Sequence, residues 1–251
     1  MSKTYYMNRL EKNELLDSNN INGKLSTLIQ KVEKERYTEL FIKISKKIDQ
    51  DDYDRKIALL KSIGFTSLQK KSVFTLSNEY PLVDIPKRLR FQSLNEEDLL
   101  YLKELIISSF QNTLDDNDIL AIQQTSIEAQ ADEYLEGLRE NYDFEYNWWH
   151  LGINAQNEVI GFVLPVHFKK RSQSQIGEGT FLYMATLPQY RGNGYVHDLL
   201  KKGTQQLQKI GISRIYSDTD YNNIPMKNAF KSVGYKDEDS VEILELKLKS
   251  K

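Results

Sequence analysis

The sequence contains no cysteine, which excludes disulfides, thiolate nucleophiles and cysteine-based zinc sites. Its three histidines are scattered, so no metal site is expected. No run of about 18 apolar residues occurs, leaving no candidate membrane span. The opening stretch MSKTYYMNRLEKNELLDSNN has no apolar core of the kind a signal peptide needs. An excess of either charge is missing as well. Lys+Arg number 34 against Asp+Glu 36, a formal net charge of −2, so global attraction recruits neither nucleic acid nor an anionic membrane. The expectation is a cytoplasmic globular protein. Proline (5) and glycine (12) are scarce in the 251 residues, so each one that appears marks a place in the chain.

Two prolines fall in SNEYPLVDIPKRLR, which predicts a linker over 78–88 between a segment 1–77 and a domain 89–251. Beyond it, LRFQSLNEEDLLYLKELIISSF predicts a strand and then a helix, with Asn95 as N-cap and Leu99, Leu102 and Ile106 on one face. A Gln-, Glu- and Ala-rich helical region follows at 115–140. Aromatic and β-branched residues in WWHLGINAQNEVIGFVLPVHF and GTFLYMATL predict three strands, two of them joined by a tight turn at AQNE. SRIYSDTD reads as a further strand, IPMKNAFKSVGY as a short helix ended by Gly234, and SVEILELKLK as a closing strand of period two.

A worn repeat is also present. LLKSIGF (59–65) matches AFKSVGY (229–235) at an offset of 170 residues, and SVFTL (72–76) falls on EILEL (242–246). Upstream, NINGKL (20–25) falls on RGNGYV (191–196), with Asn20 in place of Arg191 and Ile21 in place of Gly192. The first copy keeps the shape and drops the loop chemistry. Chance similarity among Lys-rich helices is the alternative.

The stretch ATLPQYRGNGYVHDLLKKG (185–203) places Gly192 and Gly194 at the mouth of a helix. Backbone N–H groups at a helix start lack intrahelical partners and lie at the positive end of the dipole, so they favour anions. Glycine lets the chain curl so that those amides approach oxygen atoms. The Arg191 guanidinium adds a planar donor suited to phosphate. The loop is expected to cradle a phosphate or pyrophosphate; a plain tight turn is the alternative.

Gln189-Tyr190-Arg191-Gly192-Asn193-Gly194 resembles the Q/R-x-x-G-x-G/A pattern of the GNAT superfamily of N-acetyltransferases, and NIPMKNAFKSVGYK resembles that family's second block. The likeness runs from about 89 to 248 in the family's order of elements. No Gly-Lys-Ser/Thr follows the glycines, so the loop is not a Walker loop. The resemblance implies an α/β (α+β) fold: a mixed, mostly antiparallel central sheet flanked by helices, preceded by the smaller partial copy. It implies acetyl-CoA as co-substrate and direct acetyl transfer to an amine. By position it assigns pyrophosphate contacts to the amides of Arg191, Gly192, Asn193, Gly194, Tyr195 and Val196. It places Met184, Ala185 and Thr186 along the pantetheine arm, and Asn223 beside the cofactor past the fifth strand.

Many relatives carry a Tyr acid seven residues after that Asn, where this chain has Phe230. Another hydroxyl (Tyr183, Tyr221 or Tyr235), water, or a loss of catalysis are the alternatives. For the base, Asp218 and Asp220 share parity on a strand and would attract a cationic amine, unless they are a solvated strand end. His150 and Glu178 are weaker candidates, and His197 reads as a surface residue. HFKKRSQSQ (167–175) reads as a hairpin loop, either a solvated turn or a lid. Besides the enzyme, a non-catalytic acyl-CoA sensor and an assembly module remain open, as do a monomer and a homodimer.

Overall fold

The computed structural model describes residues 4–77, 81–85, 87–169 and 177–248. In chain order the first elements are β1 (Thr4–Tyr6), α1 (Arg9–Leu16), α2 (Ile21–Lys34), β2 (Glu39–Ser45), α3 (Lys46–Asp49), α4 (Tyr53–Ser62) and β3 (Thr66–Ser77). Next come β4 (Arg90–Ser93), α5 (Leu99–Ser109), α6 (Asp116–Gln124), α7 (Ile127–Leu135), α8 (Leu138–Asn141), β5 (Tyr142–Asp143), β6 (His150–Ile153) and β7 (Val159–Phe168). The last are β8 (Glu178–Thr186), α9 (Tyr195–Lys209), β9 (Arg214–Asp220), α10 (Ile224–Val233) and β10 (Lys236–Lys247). The hairpin expected at 167–175 falls outside the described residues from 170 onward. The helical region expected at 115–140 is three helices, because Ser126 caps a new start and Gly137, at φ 62°, turns the chain again.

Two compact units form, one of Met1–Ser72 with Asp239–Lys251 and the other of Val73–Glu238. The division falls inside β3 and β10 rather than in the proline-bearing stretch. In the first unit β2 pairs parallel with β1 and antiparallel with β10, from Val241↔Ser45 to Lys247↔Glu39. Alternation along β2 turns Leu40, Ile42 and Ile44 inward, where they meet Val32 of α2, Leu60 of α4 and Leu244 of β10. The end of α4 and the end of α10 share one cap. The amides of Gly64 and Phe65 reach the carbonyls of Lys61 and Leu60, and those of Gly234 and Tyr235 reach Lys231 and Phe230, each pair 170 positions on. Gly64 and Gly234 take φ of 102° and 100°. The start of α2 departs from the matching loop. Helix begins at Ile21, and the Asn20 side chain accepts from the Gly23 amide at 3.1 Å.

In the second unit the strands run in the order β9-β8-β7-β6-β4, with β5 also on β7. The pairs β4–β6, β6–β7 and β7–β8 are antiparallel and β8–β9 is parallel. Helix α9 lies close on β7 and β8 because Gly203 carries no side chain. A Cβ there would stand 2.6 Å from Val163 and 2.7 Å from Phe181. One core gathers Trp149, Phe162, Leu164, Leu102 and Ile106 beneath α5 and α7, and another gathers Phe74, Leu200, Leu207 and Phe230. The stretch from Pro81 to Arg88 is laced to α9. Gln208 binds Pro81 and Val83, Gln205 binds the Val83 carbonyl, and Arg88 reaches the first turn of the helix.

Candidate functional site

Pro188 opens a single turn of tight helix at Pro188–Tyr190, after which Arg191 to Gly194 lead into α9. Gly192 and Gly194 hold φ of 80° and 74°, a left-handed region in which L side chains are strained. The Asn193 side-chain amide bonds back to the carbonyls of Tyr190 (3.1 Å) and Arg191 (3.2 Å), so the loop is braced by its own residues. The amides of Gly192, Asn193, Gly194, Tyr195 and Val196 find no acceptor among the described residues. Nothing lies within 4 Å of where a Gly192 Cβ would stand, so the mouth of the loop is open. Unpaired donors at the positive end of a 15-residue helix favour an anion.

Beside this loop the sheet parts. Among the described residues, strands β8 and β9 are in register only at Glu178↔Arg214 and Gly179↔Ile215, and beyond that point β8 has no described partner on its β9 side. A register shift against β7 between Val163 and Pro165 makes Leu182 and Tyr183 of β8 a bulge opposite Leu164. Met184, Ala185 and Thr186 therefore lie on a free strand edge that leads to the loop. The Thr186 hydroxyl is enclosed without a hydrogen-bond partner among the described residues, a state that costs free energy unless a ligand relieves it. Asn223 caps α10 by accepting from the Met226 amide at 3.2 Å, and Gln189 is exposed beside the loop.

The Arg191 side chain differs from the sequence expectation. Its guanidinium donates to the carbonyls of Thr186 (3.1 Å), Gln111 (2.7 Å), Asn112 (3.0 Å) and Ser109 (2.6 Å), and so ties the end of α5 to the end of β8. The unpaired carbonyls that end α5 attract a cation more strongly than an open loop does. The side chain is spent there, and only the Arg191 main chain belongs to the loop.

The two strand carboxylates part company. Asp218 is half-buried, and its charge, after burial, helps push the Tyr142 phenol up. Asp220 is fully buried and takes the Asn222 amide at 2.9 Å, which makes it the anchor of the turn after β9. Glu178 pairs with Arg214 at 2.8 Å, at the closed end of the β8–β9 pair. His150 is buried between Ser93 (3.3 Å) and Gln206 (3.4 Å). Burial, with the Lys202 charge next, pulls it down to about 4, so it stays neutral. His197 meets Ser232 at 2.6 Å.

The candidate hydroxyls are also placed. Tyr235 is buried against Thr204 at 2.8 Å, and Phe230 stacks on Phe74 with centroids 4.8 Å apart. Tyr221 is exposed beneath Lys227. Tyr183 stands 3.5 Å from Asp118 and accepts from Ser109 at 3.4 Å. Asp118 itself is buried in α6 and accepts from Tyr134 (2.8 Å) and Gln130 (3.2 Å); burial, then the Asp115 charge, pushes it up to about 6. No residue type or spacing flags Asp118 in the sequence. Only tertiary packing against Tyr134 and Tyr183 singles it out.

A row of unpaired amides, an enclosed hydroxyl and a free strand edge fit the diphosphate and the amide-bearing arm of an acyl-CoA. Among the described residues no group of three or more His, Asp or Glu is placed to hold a metal, and no helix is long and apolar enough to cross a membrane. No curated protein matches the chain. Residues 117–235 match the model of the Acetyltransferase (GNAT) family. Among solved structures, a GCN5-related N-acetyltransferase from Sphaerobacter thermophilus is similar at TM-score 0.60 and 11% identity, over 92% of this chain and 69% of that one. A tandem GNAT protein from the clavulanic acid biosynthesis pathway is similar at 0.56 and 12% identity, over 93% and 71%. A functionally unknown conserved protein from Staphylococcus epidermidis is similar at 0.58 and 9% identity, over 98% and 83%. At such identities these likenesses speak for the mixed α/β fold.

Proposed function

We propose that the chain, whose residues 117–235 match the model of the Acetyltransferase (GNAT) family, transfers an acetyl group from acetyl-CoA to a primary amine of a small molecule. The observation that carries this is the row of five unpaired amides from Gly192 to Val196 at the start of α9. These hold the diphosphate, Thr186 donates its enclosed hydroxyl, and the edge at Met184 and Ala185 pairs with the pantetheine arm. Asn223, at the start of α10, follows the end of β9, the other strand of the parted pair. When bound, the thioester supplies the acetyl group and a thiol leaving group. Amides fixed before the reaction stabilise developing negative charge without reorganising.

The half-buried Asp218 draws the cationic amine and takes its proton, leaving the nitrogen lone pair free to attack. Tyr183, a β8 residue held by Asp118 and Ser109, serves as the acid for the departing thiolate. Residues 1–77 act as a worn structural copy, since the amide matching Gly194 is already used by Asn20. The protein works in the cytoplasm as a monomer or homodimer.

A second reading, acyl-CoA binding without turnover, is favoured by Phe230, which buries an apolar ring where relatives carry an acid. Calorimetric titration with acetyl-CoA, followed by an amine panel monitored for CoA release, tests both. Binding with release on at least one amine is expected. Binding without release on any amine supports the sensor, and no affinity for any CoA species overturns the proposal.

A further inference from the structure

We propose that Arg88, from the stretch leading into the domain, is a positioning residue that holds the anion loop open from behind. The inference rests on the acetyl-CoA reading above. The Arg88 guanidinium donates through Nε to Asp198 at 2.9 Å, and its Nη2 lies 2.6 Å from the same carboxylate oxygen. Nη1 donates to the Asn193 carbonyl at 3.3 Å and Nη2 to the Gly194 carbonyl at 3.2 Å. The guanidinium also lies 5.1 Å from the centre of the Tyr195 ring.

In a trans peptide the C=O and the N–H point in opposite directions. Drawing the Asn193 carbonyl backward therefore turns the Gly194 amide forward, and drawing the Gly194 carbonyl backward does the same for the Tyr195 amide. Two of the five unpaired donors are aimed in this way. Asp198, in the first turn of α9 and 1% exposed, anchors the clamp. An uncompensated carboxylate there would oppose a diphosphate, and Arg88 offsets it. Gly194, at φ 74°, is the joint both carbonyls depend on. With the Arg191 guanidinium spent on α5, Arg88 is the side-chain cation this loop has against its back.

The clamp is specific to phosphate, which gives the test. Acetyl-CoA carries the diphosphate, whereas S-acetylpantetheine keeps the thioester and the arm without it. For Arg88→Ala, the Kd of acetyl-CoA should rise roughly tenfold to a hundredfold, the effect of losing charge-assisted hydrogen bonds. The KM of S-acetylpantetheine and kcat at saturating acetyl-CoA should stay at wild-type values. Arg88→Lys keeps the charge but loses the fork, and should be as weak as Ala. Arg88→Ala combined with Asp198→Asn should bind no more weakly than the weaker single variant, because the pair acts as one unit.

Wild-type affinity in Arg88→Lys overturns the clamp in favour of simple charge. Equal losses for acetyl-CoA and S-acetylpantetheine overturn it in favour of a general structural role. Unchanged acetyl-CoA affinity in Arg88→Ala defeats the clamp alone, whereas a wild-type protein that binds no acetyl-CoA defeats the functional reading beneath it.

Discussion

The Arg191 Nη2 donates to the Ser109 carbonyl at 2.6 Å, joining residues 82 positions apart at the place where α5 ends and the glycine loop begins. Three further carbonyls share the same guanidinium. Lysine has neither the fork nor the number of donors to serve all four. Two of the four acceptors are part-buried and two are exposed, so Arg191→Lys should cost about 1–3 kcal/mol of stability, measured by urea unfolding at neutral pH. A loss below about 0.5 kcal/mol, the ordinary range of a surface change, would mean the tie is incidental.

Asp118 and His150 should impose opposite pH slopes. Asp118 is raised to about 6 from 3.8. Between those values the folded state binds more protons than the unfolded one, so this carboxylate lowers stability as pH rises through the window. His150 is lowered to about 4 from 6.5. There the unfolded state binds more protons, so its contribution is present at neutral pH and lost as pH falls. Each shift amounts to about 3 kcal/mol, and in the wild type the two largely cancel between pH 4 and 6. Asp118→Asn should therefore steepen the acid-side loss, and His150→Gln should reverse its sign. Urea midpoints across that interval decide it, and parallel profiles for all three proteins would refute the assignment.

Thr186 tests the enclosed hydroxyl. Thr186→Val keeps the shape and removes an unpartnered polar atom, so the free protein should gain up to about 1 kcal/mol. Acetyl-CoA affinity should fall roughly fivefold to tenfold, the weight of one hydrogen bond of about 1–1.5 kcal/mol. Calorimetry beside thermal unfolding reads both, and an unaltered Kd would remove Thr186 from the site.

Phe230 tests the missing acid. Its ring is 1% exposed and packed between Phe74 and Tyr235. Phe230→Tyr should bury a hydroxyl without a partner and cost about 1–3 kcal/mol, with no gain in the rate of CoA release on the best amine. A faster variant would show that the family position does reach the reaction.

What the sequence made legible follows from what local chemistry demands. Gly192 and Gly194 stand out because only a left-handed turn explains two scarce residues at a helix mouth, and both take positive φ. The α4 and α10 ends were legible because the Gly-Phe and Gly-Tyr caps depend on a few adjacent residues. Arg88 was not, since it lies in a basic stretch whose partners stand 105 to 110 positions away. Nor was Asp118, one acid among several at 115–118 until α7 folds over it. The Arg191 side chain misleads for a related reason: its type suits phosphate, but the open end of α5 competes for it. The three helices at 116–141 blur into one because their Gln- and Glu-rich faces carry little periodicity.

The Asn20 cap on Gly23 has a consequence that amide hydrogen exchange can read directly. A main-chain proton already held by its own cap exchanges at a pace indifferent to what is dissolved around it, so Gly23 should look the same with and without acetyl-CoA. The protons of Gly192 to Val196, bare until a guest arrives, should slow in step with the titrant.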